Sequence, residues 1–233
     1  MAAGHTNRDK EKFIRRMEKR PLEEKNLQLE RLVFFTDAVV AIAITLLALD
    51  IRIEHTESGH LRFADIWNQW RTLTAFFLSF FNIANFWKAN HMFFVYIKKI
   101  DEKLLWICTL WLLFITLLPF STSLVSNYFF DVPAICVYSS NVLLIAVFQN
   151  WLWDYASDHN LVDQEKLSAS LDSRIRLFCN LDMLNGVFGV AVSFISPGVA
   201  FVLLLTKIPM IVIASFYLRR RYHPRKTGNR NPL

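Results

Sequence analysis

Six long apolar runs, almost free of charge, limit this chain more than any other feature. They fall at about residues 32–49, 72–97, 104–127, 133–153, 175–195 and 198–218. A helix rises about 1.5 Å per residue, so about 20 apolar residues cross the hydrocarbon core of a bilayer. In lipid only helices and closed barrels satisfy their backbone, and these runs exceed the strand length of a barrel. With 54% hydrophobic and 20% charged residues the composition agrees. The expected fold is an all-α integral membrane protein with six transmembrane helices. Its membrane domain covers 31–218, between a charged arm at 1–30 and a basic tail at 219–233.

The charges set the orientation. Lys98, Lys99, Lys103, Lys166, Arg174 and Arg176 fall on the side of both termini, with the basic arm and tail. The other side carries Arg52, Arg62 and Arg71. Excess Lys and Arg mark the cytoplasmic side, so a multi-pass cell-membrane protein with both termini cytoplasmic is expected. The net charge of +6 gathers in tails and loops, which argues for the bilayer and against nucleic acid as partner. A charged lead of 31 residues, and Asp37 inside the first run, argue against a cleaved signal peptide. Trp70, Trp106, Trp151, Trp153, Tyr128 and Tyr155 lie near run ends, where aromatic belts form. Cys108, Cys136 and Cys179 all lie within apolar runs and suit neither a disulfide framework nor a metal site.

Ionisable groups inside spans cost about 2.5–3.5 kcal/mol at a helix centre and mark candidate sites. Here they are Asp37, Lys88, His91, Asp182 and Lys207. Arg31 and Asp37 stand about 240° apart around one helix and cannot pair locally. Asp37 therefore needs a partner on another helix. His91 lies at similar depth in the second run, and Trp87, one turn before it, offers an indole N–H. The expected result is a clamp between the first two helices. Beyond Asp37, Ile42, Thr45, Leu46 and Leu49 share one helix face. That stripe suits lipid, a neighbouring helix or a pore. No nucleophile–base pair, HExxH, GxSxG, phosphate loop or dinucleotide fingerprint occurs, so no enzyme, metal site or cofactor is expected. The TVGYG potassium filter is absent too. A secondary transporter using Asp37, His91, Asp182 and Lys207 is the second reading.

The motifs add a resemblance. Arg31-Leu-Val-Phe-Phe35-Thr36-Asp37 resembles the RxxxFSD signature of the transmembrane protein 175 family, potassium channels of lysosomes and many prokaryotes. FWKANHMFF is similar to its aromatic-Trp-x-x-His-His stretch, and LLWICTLWLLFITLLPFSTSLVSNY to its LLW…LPF-x-T…Y pattern. The likeness spans about residues 30–220. Three positions depart from the pattern: Thr36 replaces the motif serine, Asn90 the first histidine, and Cys108 an asparagine. The resemblance implies a homotetramer with the first helix of each subunit lining a fourfold pore. Carried over by position, Ile42 is the main constriction, Leu46 and Leu49 are further apolar rings, and Thr45 is a hydroxyl ring. Arg31, Phe35, Thr36, Asp37, Trp87 and His91 form the helix clamp. Monovalent cations, with K⁺ preferred, are the implied permeant ions, passing a dry collar instead of a ring of carbonyls.

Overall fold

The computed structural model describes residues 27–52 and 60–206. The helices are α1 (Leu27–Ala48), α2 (Phe63–Trp67), α3 (Trp70–Tyr96), α4 (Glu102–Asn127), α5 (Val132–Asp158), α6 (Ala169–Ser193) and α7 (Pro197–Thr206). No strand forms among the described residues; one isolated bridge joins Ile97 to Val162.

Of these helices, α1, α4, α5 and α6 are long and apolar enough to cross a membrane. The chain is thus a multi-pass, all-helical membrane protein. With 27 residues α3 has the length. Its Asn82, Asn85, Lys88, Asn90 and His91 lower its hydropathy. Helix α7 is the start of the sixth apolar run. Lys207, the rest of that run, the arm before residue 27 and the basic tail lie outside the described residues.

Local chemistry explains where the helices begin. Asp101 caps α4 by accepting from the Leu104 N–H at 2.8 Å. Ser168 does the same for α6 through the Leu171 N–H at 3.3 Å. Pro133 sits in the first turn of α5, where its missing N–H costs nothing.

Helix α5 is central and packs most closely with α4 and α6. Gly186 makes the second contact possible: a Cβ there would lie 2.9 Å from the Leu143 Cα. Two apolar clusters fill the bundle. One joins Val40, Ala43 and Leu47 of α1 to Leu78, Ile83, Phe86, Trp111 and Ile115. The other joins Leu32 to Phe93, Ile107, Leu152 and Trp153.

Pro119 interrupts α4, having no N–H for the carbonyl four residues earlier. Asn141 of α5 reaches the damaged turn. In the orientation that satisfies every neighbour, its NH₂ donates to the Phe114 carbonyl at 3.1 Å. Its oxygen then accepts from the Leu118 N–H and the Ser121 hydroxyl, each at 3.2 Å. Repair of a broken helix by a neighbour is how membrane helices tolerate proline.

At the end nearer α1's start, the α3–α4 and α5–α6 loops are joined. Lys98 pairs with the buried Asp163 at 2.8 Å, and Lys166 approaches the same carboxylate at 3.7 Å. Trp153 and Tyr155, expected in an aromatic belt, are buried instead. Their polar tips explain it: the Trp153 indole donates to Asp172 at 2.9 Å, and the Tyr155 hydroxyl to Asp101 at 2.5 Å.

Candidate functional site

Helix α1 has two faces. Leu32, Thr36, Val40, Ala43 and Leu47 are buried against the bundle. Ile42, Thr45, Leu46 and Leu49 stand exposed on the other side; Ile42 is 59% exposed. The spacing that placed these four on one face therefore holds. The Thr45 hydroxyl donates back to the Ile42 carbonyl at 2.8 Å, which leaves its oxygen lone pairs facing outward.

One turn below Ile42 the helix is pinned. The Trp87 indole N–H donates to Asp37 Oδ1 at 2.8 Å, joining α1 to α3. His91 stacks on that indole, with ring centroids 5.6 Å apart and planes 28° from parallel. The donor to the acid is thus Trp87, and His91 supports it as a ring and makes no hydrogen bond to Asp37. Two other residues of the motif do not join. Phe35 is exposed, and Arg31 is exposed with no ion pair among the described residues. Lys88 is also exposed, and Asp182 is half-buried.

Thr36 turns the opposite way and meets Cys108 of α4, oxygen to sulfur 3.6 Å. The single hydroxyl proton goes to the Leu32 carbonyl at 2.8 Å, so the thiol is the donor across the helix pair. Two departures from the family pattern therefore touch each other. The third, Asn90, is buried, and neither of its amide atoms has a partner among the described residues. Cys108 belongs to the second apolar cluster, and Trp111, one turn further along α4 and part of the first, donates its indole N–H to Gln149 at 3.2 Å.

The bundle holds other polar contacts that the sequence did not single out. Thr122 lies 2.7 Å from the Ser79 hydroxyl. Ser79 and Asn82 both donate to the buried Tyr138 hydroxyl at 3.1 Å. Arg176 binds Asp154, Asp158 and Asp172 at 2.8, 2.7 and 3.0 Å. The paired i, i+4 spacing of those acids and the arginine was a visible signal. Among the described residues no group of His, Cys, Asp and Glu suits a metal.

The fold and site define an all-helical, multi-pass membrane protein with a first helix pinned on one face and bare on the other. The family model for the endosomal/lysosomal potassium channel TMEM175 matches residues 31–119. A potassium channel of Chamaesiphon minutus is 29% identical over 183 residues, 74% of this chain and 90% of the relative. One from Streptomyces collinus is 28% identical over 171 residues, 71% and 82% of the two chains. The crystal structure of a lysosomal potassium-selective channel TMEM175 homolog from Chamaesiphon minutus superposes with a TM-score of 0.69 at 25% identity. That match covers 81% of this chain and 98% of the homolog. Over residues 31–119 the chain thus matches the TMEM175 family model, and over most of its length it is similar to bacterial proteins described as potassium channels.

Proposed function

We infer that this chain is a potassium-preferring cation channel, not an enzyme, and that α1 forms its pore wall. The channel activity is supported by the match of residues 31–119 to the TMEM175 family model and by similarity to relatives described as potassium channels. One observation carries the pore reading: α1 buries one stripe in its own bundle and exposes Ile42, Thr45, Leu46 and Leu49 on the opposite face. Facing lipid, the exposed Lys88 and His91 of α3 would carry a cost. A homotetramer with α1 innermost removes that cost. It gathers four copies of Ile42 into a dry collar, with Leu46 and Leu49 as rings beyond it. The Thr45 oxygens then meet a partly dehydrated cation. Such a collar closes by dewetting and opens on slight widening. K⁺ sheds water more readily than Na⁺ and passes the collar more easily. In this reading α3 and residues 198–218 complete six spans in the cell membrane, with both termini cytoplasmic.

The transporter alternative rests on Asp37, His91, Asp182 and Lys207, the last outside the described residues. The Trp87 bond to Asp37 and the stacking of His91 on Trp87 favour a clamp over chemistry by that pair. Reconstitution in liposomes tests the channel reading: unitary K⁺ currents are expected, and saturable, gradient-coupled flux without them would reject it. Ile42→Asn tests the collar. It is expected to raise open probability and lower K⁺ over Na⁺ preference; unchanged currents would remove Ile42 from the constriction.

A further inference from the structure

The end of the bundle where α1 finishes holds a polar cavity of about 430 Å³. A water occupies about 30 Å³ in the liquid, and small-molecule pockets begin near 300 Å³, so the space suits a small solute better than a bare ion. Three elements build its wall. The end of α1 gives Asp50 and Arg52, the start of α3 gives Gln69 and Thr72, and the end of α4 gives Ser123, Ser126 and Asn127. Among the described residues no apolar side chain lines it.

We propose that this cavity binds a small zwitterion of the α-amino-acid type, its carboxylate toward Arg52 and its ammonium toward Asp50. The two charges share one wall yet form no ion pair with each other among the described residues. Arg52 is held from behind: its Nε donates to the Leu49 carbonyl at 3.3 Å. That bond leaves the terminal N–H groups for a carboxylate. Asp50 follows the C-terminal end of α1, and Asn127 ends α4, so two helix C-termini add negative potential for an ammonium. Asn127 donates its NH₂ to the Ser123 carbonyl at 2.9 Å, which leaves its oxygen as an acceptor. The neutral side of the wall is already ordered. Ser126 donates to Thr72 at 2.9 Å, and Thr72 to Gln69 at 3.3 Å. A simple cation meets Arg52 and a simple anion meets Asp50, so a solute carrying both charges fits best. Bound there, it ties the end of α1 to α3 and α4. An effect on opening follows only from the channel reading; the binding itself does not depend on it.

Calorimetric titration of the purified protein in lipid nanodiscs tests the site. The probes are glutamine and glycine, with acetate, methylammonium and Ca²⁺ as single-charge controls. Saturable binding of a zwitterion is expected, weakened about tenfold or more in Asp50→Asn and in Arg52→Gln. No zwitterion binding by the folded parent would overturn the proposal. So would affinity unchanged from the parent in both charge variants, or Ca²⁺ binding that needs Asp50 and not Arg52.

Discussion

Trp87 donates its indole N–H to Asp37 across 2.8 Å, while the adjacent Thr36 faces Cys108 on a different helix. Two neighbouring residues of α1 thus hold it to α3 and α4 at one depth. Removing the donor leaves a half-buried carboxylate unpartnered. Trp87→Phe should cost about 1–2 kcal/mol, read as a lower thermal midpoint in detergent. Asp37→Asn with Trp87→Phe should cost less than the two changes summed; a strictly additive pair would show that they are not coupled.

Close packing of α5 and α6 should discriminate between two glycines. At Gly186 a Cβ meets the Leu143 backbone at 2.9 Å, so the helices must separate. Gly186→Ala should cost about 1–3 kcal/mol of stability. At Gly189 the nearest atoms are a flexible Leu204 methyl and the Ser139 hydroxyl oxygen, both at 3.4 Å, and Gly189→Ala should stay within about 0.5 kcal/mol. Equal loss in both would place the tight contact elsewhere.

Asn141 spans the interruption at Pro119. Asn141→Leu keeps much of the volume and removes both halves of the amide bridge. A loss of about 1 kcal/mol is expected, with faster amide exchange at Leu118. Unchanged exchange at Leu118 would mean that α4 closes this turn without α5.

The loop contact at Asp163 should respond to acid. Lys98, hydrogen-bonded to Asp163, holds that carboxyl below the usual carboxylate range, and Lys166 adds to the effect. A depressed carboxylate contributes stability above its unfolded value of about 3.9, and loses it as pH falls through the folded value. Asp163→Asn should therefore melt below the parent at neutral pH, and the two should converge in strong acid. A gap that persists at low pH would point to the shape of the loop instead of its charge.

Much of this architecture was legible because lipid imposes simple periodicities. Within the described residues the apolar runs became helices, and the face holding Ile42, Thr45, Leu46 and Leu49 followed from 3.6 residues per turn. Partner choice was not legible. Trp87 and His91 are one turn apart on α3, so spacing alone brings both within reach of Asp37. Only side-chain direction selects the indole as donor and the imidazole as its stacking support. Thr36 and Cys108 read as unrelated departures because 72 residues separate them. Trp153 and Tyr155 were misjudged for a related reason. Proximity to a segment end suggests a belt, yet acids on neighbouring segments satisfied their polar tips indoors. Arg31 and Phe35 belong to the motif by sequence, and neither touches the clamp within one chain.

The hydrogen bonds at Thr36 and Asp37 also have a mechanical meaning. Above them α1 rests on the bundle through Val40, Ala43 and Leu47, apolar contacts that slide at lower cost than hydrogen bonds break. The helix therefore has a pivot and a lever arm. At 1.5 Å per residue Ile42 lies about 7.5 Å from the pivot and Leu49 about 18 Å. A tilt of about 5° then shifts Ile42 by about 0.7 Å and Leu49 by about 1.6 Å. In the proposed channel, residues near the fulcrum would suit fine adjustment of a narrow ring, and those at the tip large excursions.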